Sequence, residues 1–204
     1  GDGMLDEGEV CDDGAQIDDA NDGCPSNCQG THYLVFLSNQ EFTGAMAANG
    51  AAALQAADAA CQGEAEAAML VGTYKAWLSS SEGSAKDRLN AKVLYGSVPL
   101  HLRSGDDIAN NWAQLIAGPL LHSISVLADK SVNSEAQVWT NTTPQGVVPE
   151  ESASCSSWTS AKNNLNGHYG ISGIVDKGWT IQTDSKNCDN PRRLYCFQTS
   201  FSAP

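Results

Sequence analysis

Carboxylates are the residues of this chain most obviously suited to chemistry, and they are concentrated at one end. Residues 1–30 hold Asp2, Asp6, Glu7, Glu9, Asp12, Asp13, Asp18, Asp19 and Asp22 and no Lys or Arg. Such a cluster repels itself unless cations hold it. Hard oxygen donors set among glycines are what calcium selects, because the ion takes roughly six to eight oxygens in a flexible geometry and glycine lets backbone carbonyls approach. Asp2, Glu9, Asp12, Asp13, Asn21 and Asp22 are the expected ligands, with Ca2+ as the expected ion. The stretch starting at Asp18 does not complete a twelve-residue helix-flanked calcium loop, since Ala20 occupies its third position and Gln29 its twelfth.

Other chemistries have less to work with. His32, His101, His122 and His168 are scattered, and none sits four residues from an acid on a shared helical face, so zinc ligation or general-base work is not expected of them. No Gly-x-Ser-x-Gly elbow occurs. The seven cysteines, at 11, 24, 28, 61, 155, 188 and 196, include no Cys-x-x-Cys pair and no His at zinc-finger spacing. They read instead as a disulfide framework in an oxidising compartment, with the odd count still to be explained. An acidic run alone would be a solvated tail, but Cys11, Cys24 and Cys28 argue for an ordered, cross-linked segment. A net charge of -13 repels phosphate backbones, which excludes nucleic acid as a partner.

The elements that must position these residues begin after Gly30. Residues 1–30 lack apolar periodicity and cannot build a core, whereas from His32 the run Tyr33-Leu34-Val35-Phe36-Leu37 reads as a buried strand. The chain therefore divides into an acidic segment, 1–30, and a globular domain, 31–204. With 41% hydrophobic residues the domain can bury a core and is expected to be globular and soluble. The Ala-rich stretch 51–70 is interrupted by Gln55, Asp58, Gln62, Gly63, Glu64 and Glu66, so no membrane span is present. The first residues lack the features of a signal peptide, so any export signal would precede Gly1.

Between 50 and 70 a helix is expected, with Leu54, Ala57, Cys61, Ala65 and Ala68 on one face and Gly72 closing it. A strand over 73–78 places Tyr74, Ala76 and Leu78 on one side. A polar loop at 79–83 follows. A second helix is expected over about 106–116, capped by Asp106 or Asp107, presenting Ile108, Trp112 and Leu115, and stopped by Gly118-Pro119. Strand-like bursts recur at 138–140, 179–181 and 194–197 within a region rich in Ser, Thr, Asn and Gly. Trp77, Trp112, Trp139 and Trp158 are expected in the core, and Tyr169 and Trp179 are candidates for exposed loop aromatics that contact a ligand.

The run Gly72-Thr73-Tyr74-Lys75-Ala76-Trp77-Leu78-Ser79-Ser80 resembles the signature of endostatin, the C-terminal domain of some collagens. Cys61, Trp112, Val138-Trp139, Cys155-x-x-Trp158 and Leu194-Tyr195-Cys196 resemble further pieces of that family in the same order, over roughly 31–200. A group of bacterial cell-surface domains is similar too, with Gly-Thr-Tyr-Lys-Ala-Trp-Leu-Ser early and Asn-Arg-Leu-Tyr-Cys-Phe late; the chain has Arg192 at the Asn position. The resemblance implies an α+β, disulfide-stapled domain of C-type-lectin-like (endostatin-like) fold, with nested pairs Cys61 to Cys196 and Cys155 to Cys188. The sugar-binding triplets of C-type lectins are missing: Thr143-Pro144-Gln145 and Cys188-Asp189-Asn190-Pro191 are the nearest approximations and read as ordinary turns. Endostatin's N-terminal zinc histidines and heparin-binding arginines are also unmatched.

Separately, Gly1-Asp2-Gly3, Gly8-Glu9-Val10-Cys11-Asp12-Asp13-Gly14, Asp22-Gly23-Cys24 and Cys28 resemble a cysteine-rich repeat of secreted myxobacterial proteins, whose opening Cys would fall just before Gly1 and would account for the odd count. Together these resemblances imply a secreted or cell-surface, non-catalytic binding or adhesion module of bacterial type. Its partner would be an extracellular glycan or protein. The alternative is a structural subunit of a calcium-stabilised extracellular assembly that docks onto a neighbouring subunit; an enzyme is the third possibility.

The calcium expectation is open to direct test. Titration calorimetry should detect calcium uptake by the chain, and Asp12→Ala or Asp22→Ala should each weaken it and raise protease sensitivity before Gly30. No uptake would return the segment to a solvated acidic tail.

Overall fold

The computed structural model describes residues 32–201. The acidic segment 1–30 and its expected ligands Asp2, Glu9, Asp12, Asp13, Asn21 and Asp22 lie outside the described residues. What is described is a mixed α+β arrangement stapled by two disulfides.

Five strands form the main sheet: β1 (Tyr33–Leu37), β2 (Thr73–Ala76), β3 (Leu100–Leu102), β4 (Asp107–Ala109) and β8 (Tyr195–Ser200), in the order β2-β8-β1-β3-β4. β8 runs antiparallel to both β1 and β2, and β1 is parallel to β3. A second sheet comprises β5 (Gln137–Trp139), β6 (Asn166–Ile171) and β7 (Ser185–Asn187), with β6 central. Four right-handed helices, α1 (Gly50–Ala67), α2 (Ala85–Arg88), α3 (Ala91–Leu94) and α4 (Trp112–Ala117), a single left-handed turn (Cys155–Trp158) and a short 3-10 helix (Lys177–Trp179) complete the regular elements of the described residues.

The unbroken apolar run in β1 has a simple cause: the strand is covered on both faces. Tyr33, Val35 and Leu37 join one core with Trp77, Tyr95, Trp179 and Phe197, while Leu34 and Phe36 join another with Leu54, Ala57, Cys61 and Tyr74. Alternate residues thus serve different cores.

Helix α1 forms as the alanine content suggests. The Asn49 side chain accepts from the Ala52 amide at its N-terminus, and Leu54, Ala57, Cys61 and Ala65 are buried as the spacing implies, with Ala68 only partly so. Its polar flank guards the sheet. The Asp58 carboxylate accepts from the Ala76 amide at 3.0 Å and the Gln62 carbonyl from the Tyr74 amide at 2.8 Å, closing the outer edge of β2 that would otherwise offer unpaired donors. Arg88 pairs with the same Asp58 carboxylate and donates to the Leu78 carbonyl at 2.6 Å.

The helix does not end at Gly72. It ends in a Schellman motif: the Leu70 amide bonds the Ala65 carbonyl at 2.9 Å, the Met69 amide bonds the Glu66 carbonyl at 3.0 Å, and Met69 itself takes the left-handed position at φ 56°. Gly72, at φ 94°, serves a different need, because a Cβ there would lie 2.0 Å from the Ser200 carbonyl oxygen on β8.

Two other expectations give way. The first half of the helix expected over 106–116 is strand β4, where Asp107 pairs with His101 and Ile108 closes the core, and α4 starts only at Trp112, capped by Asn111. Ile108, Trp112 and Leu115 are nonetheless all buried. The burst at 179–181 is the end of the 3-10 helix, because the Asp176 side chain caps the Gly178 amide at 2.8 Å and curls the chain.

Cys61 pairs with Cys196, tying α1 to β8, and Cys155 with Cys188, tying two loops, with Cα separations of 5.3 and 5.6 Å. In the chain-entropy model these closures contribute about 5 and about 4 kcal/mol respectively. Loops this sparse in apolar contacts stay ordered only with such cross-links.

Met69 is 87% exposed, so a substitution there acts through the backbone alone. Met69→Gly should remove the left-handed penalty and, after the added freedom of the unfolded chain, stabilise the domain by about 0.5–1 kcal/mol, a few degrees in Tm. Thermal melts should show this rise, and a fall would mean the turn is held by something other than the cap.

Candidate functional site

The loop-rich end of the domain is organised around Ser79, the Ser that follows Leu78 in the signature run. Its amide donates to the Thr140 carbonyl at 2.9 Å, and its carbonyl accepts from the Asn141 side-chain amide at 3.1 Å and the Trp158 indole at 2.9 Å. Its hydroxyl accepts from the Ala85 amide at 2.8 Å and lies 2.8 Å from the Thr142 hydroxyl, which is 2.7 Å from the Thr140 carbonyl. One proton arrangement satisfies all three groups: Ser79 donates to Thr142, and Thr142 donates to Thr140. The Thr180 hydroxyl extends the network, accepting from the Trp77 indole at 2.8 Å and donating to the Thr142 carbonyl at 2.9 Å. All these side chains are buried, so the network fixes loops 140–146 and 177–182 against β2.

Those loops and α4 line a half-open cavity of about 290 Å3. Leu115, Ile116, Pro144 and Trp179 supply apolar walls, and Gln145 and Lys177 supply polar groups at the rim. The Gln145 side-chain amide donates to the Ile116 carbonyl at 3.4 Å. Two features that were separate in the sequence, the turn Thr143-Pro144-Gln145 and Trp179, thus meet at one site. Trp179 is not an exposed aromatic: it is 1% exposed and packs on Trp77 and Tyr195, with the Tyr195 hydroxyl donating to its carbonyl at 2.9 Å. It forms a fixed wall. A concave site with apolar walls and a few polar groups suits a small ligand or a projecting side chain.

Tyr169 is elsewhere and is also buried, on β6, which corrects its reading as an exposed loop residue. The Arg192 guanidinium lies 4.2 Å from the centre of the Trp139 ring and 5.7 Å from that of Tyr169, and donates to the Asn187 and Asn190 carbonyls. That cation wraps the turn Cys188-Asp189-Asn190-Pro191 around itself. The turn is structural. The four tryptophans expected in the core, at 77, 112, 139 and 158, are there.

A second cavity, of about 330 Å3, is lined by Asn39, Glu64, Arg103, Asp129 and Lys130 over an alanine floor. Its acids are engaged in shaping loops. Glu64 accepts from the Asn39 and Gln40 amides, and Asp129 from the Ser131 amide and hydroxyl, bonds that hold the Asp129 carboxyl below its ordinary pKa.

The histidines are less scattered in space than in sequence. His32 stacks on His101 with ring centres 4.1 Å apart and planes 6° apart, the His101 Nε2 is 2.8 Å from an Asp107 carboxylate oxygen, and the His122 Nδ1 is 2.9 Å from the Asp107 carbonyl. Strands β1, β3 and β4 create this grouping by lateral pairing. No sequence spacing announces it. Even so, among the described residues no group of three His, Cys, Asp or Glu side chains is set to hold a metal. No helix of the described residues is long and apolar enough to cross a membrane. No protein-family model matches the chain, and no curated protein sequence matches it either.

Burial, then the neighbouring His101, pushes the His32 pKa down to about 4 against the opposing pull of Asp107. Because the folded value lies below the ordinary 6.5, the fold prefers neutral His32, and its contribution to stability is present above about pH 6.5 and lost as pH falls toward 4. Denaturant melts of the wild type and His32→Phe across this window should show the wild type losing more stability on acidification than the variant. Parallel curves would show that His32 does not titrate between the two states.

Proposed function

We propose that this chain is a non-catalytic extracellular binding or adhesion module of a bacterial surface or secreted protein, built on a C-type-lectin-like, endostatin-like framework. The observation that carries this reading is the walled cavity between α4 and loops 144–145 and 177–179, because rigid scaffolding of loops around a concave site is how binding modules present a ligand surface. The framework is supported by the pairing of Cys61 with Cys196 around Cys155 with Cys188, the nested pattern that the endostatin resemblance implied. Buried disulfides of this kind persist in oxidising compartments, which favours secretion. The charged side chains Asp58, Glu64, Arg88, Arg192 and Arg193 hold backbone in place, a use that fits a scaffold better than a reaction centre.

The ligand we expect is an extracellular glycan or a protein side chain presenting an apolar face and a hydrogen-bonding group. Calcium belongs to the acidic segment in this reading, held by Asp2, Glu9, Asp12, Asp13, Asn21 and Asp22. A second reading is a structural subunit of a calcium-stabilised assembly that docks through that segment, whose nine carboxylates with no Lys or Arg suit a calcium-bridged contact.

A glycan array and a panel of extracellular proteins, probed with the wild type, Gln145→Ala and Lys177→Ala, separates these readings. Binding by the wild type that falls about tenfold in either variant, a loss of about 1.4 kcal/mol, is expected. Binding that both variants retain would move the site off the cavity. No binding, together with oligomers that dissociate in chelator, would favour the structural subunit, and turnover in a broad hydrolase screen would overturn the non-catalytic reading.

A further inference from the structure

Both disulfides are buried in the same core cluster, but they join different kinds of element. Cys61 lies midway along α1 and Cys196 on β8, a strand paired on both sides, so parting these sulfurs means opening the central sheet. Cys155 and Cys188 sit on loops. Cys188 follows the three-residue β7 at the margin of the small sheet, and Cys155 opens a single turn, Cys155–Trp158, whose four residues all have φ between 51° and 63°. A left-handed turn of four residues, none of them glycine, is disfavoured at every residue, because each Cβ crowds the following carbonyl. It persists only where its surroundings over-determine it.

Those surroundings are identifiable, and they include the Ser81 hydroxyl 2.7 Å from that of Ser157 and the Ser160 amide donating to the Gly44 carbonyl at 3.2 Å. The Gly44 amide donates to the Cys188 carbonyl at 2.8 Å, the Met46 amide to the Trp158 carbonyl at 2.9 Å, and the Cys188 amide to the Leu165 carbonyl at 2.9 Å. The Trp158 indole reaches the Ser79 carbonyl and packs against Trp139 with ring centres 5.5 Å apart. The Cys155 sulfur is covered by backbone: a Cβ on Gly44 would lie 2.5 Å from it, and one on Gly167 2.9 Å. Lifting the loop that carries Gly44 therefore removes the closer of the two covers, and that loop is not a strand of the main sheet. Local opening of this kind needs less free energy than global unfolding.

We propose that Cys155–Cys188 is a thiol-sensitive latch, opened by a dithiol reductant while Cys61–Cys196 keeps the domain folded. A thiolate of the reductant attacks one sulfur of the pair, and the other leaves as a thiolate and takes up a proton. The reductant's second thiol then attacks the mixed disulfide, leaving Cys155 and Cys188 as thiols and the reductant as a disulfide, a transfer of two electrons and two protons. Once released, the turn relaxes to right-handed or extended backbone and Trp158 leaves Ser79. Loop 140–146, held by the same carbonyl, loosens with it.

Differential alkylation of the full chain, equilibrated across a dithiothreitol series and read by peptide mass spectrometry, tests this. Cys155 and Cys188 should become labelled together at a reductant concentration at least tenfold below that needed for Cys61 and Cys196, while near-ultraviolet circular dichroism of the main core persists and protease cleavage appears within 145–165. Simultaneous labelling of all four with loss of the core signal, or earlier labelling of Cys61 and Cys196, would overturn the proposal. Ser156→Gly, which removes one left-handed penalty at an exposed position, should slow reduction of Cys155–Cys188 severalfold. An unchanged or faster rate in this variant would overturn the role given to the turn.

Discussion

Buried loop backbone must find hydrogen-bond partners, and in this domain that requirement falls on Ser79. Its amide, carbonyl and hydroxyl all bond residues 140–142, the carbonyl also meets the Trp158 indole and the hydroxyl the Ala85 amide at the start of α2, and Ser79 is buried. Each bond is worth only about 1 kcal/mol net, but a buried donor or acceptor left unmet costs about 1–3 kcal/mol. The network therefore acts as a constraint more than as a source of stability. It dictates where loops 140–146 and 177–182 can lie, and so where the cavity beside α4 lies. The signature run reads differently in this light: Tyr74, Ala76 and Leu78 fill one core, Trp77 the other, and Ser79 gathers the loops.

Helix α1 plays the complementary part on the opposite side of β2. One face supplies the small residues and Cys61 that let it sit close to the sheet, while Asp58, Gln62 and Glu64 turn its polar flank into a row of acceptors for backbone amides of β2 and of residues 39 and 40. Three acidic or amide side chains that sequence patterning assigns to solvent are thus structural. With Cys61 anchored to β8, helix and sheet form a frame that stays closed if the loops open, which is why the two disulfides differ in consequence although both are buried.

The charged groups illustrate how burial and pairing compete. Arg192 is 5% exposed, yet its guanidinium lies over aromatic rings and beneath carbonyls, so its charge is solvated by the protein. Burial and the neighbouring His101 hold His32 neutral at ordinary pH, so protonating it in acid works against the fold at the start of β1.

The sequence by itself determined the elements whose causes are local. A five-residue run of β-formers read as a buried strand, and an alanine-rich stretch with i, i+3, i+7 spacing placed Cys61 inward, whereas the partners of the disulfides came from the resemblance to endostatin. Tertiary structure decided the rest. Residues 107–109 have helical spacing but lie as an edge strand because β3 offers them a ladder, and the same apolar residues satisfy either geometry. Gly72 looked like a helix stop and is instead the point where β8 comes too near for a side chain, a fact set by a residue more than a hundred positions away. Trp179, Pro144 and Gln145 meet, as do His32, His101 and Asp107, only because strands and loops distant in sequence are paired laterally. Periodicity records which face of an element is buried; it carries no record of which other element will cover it.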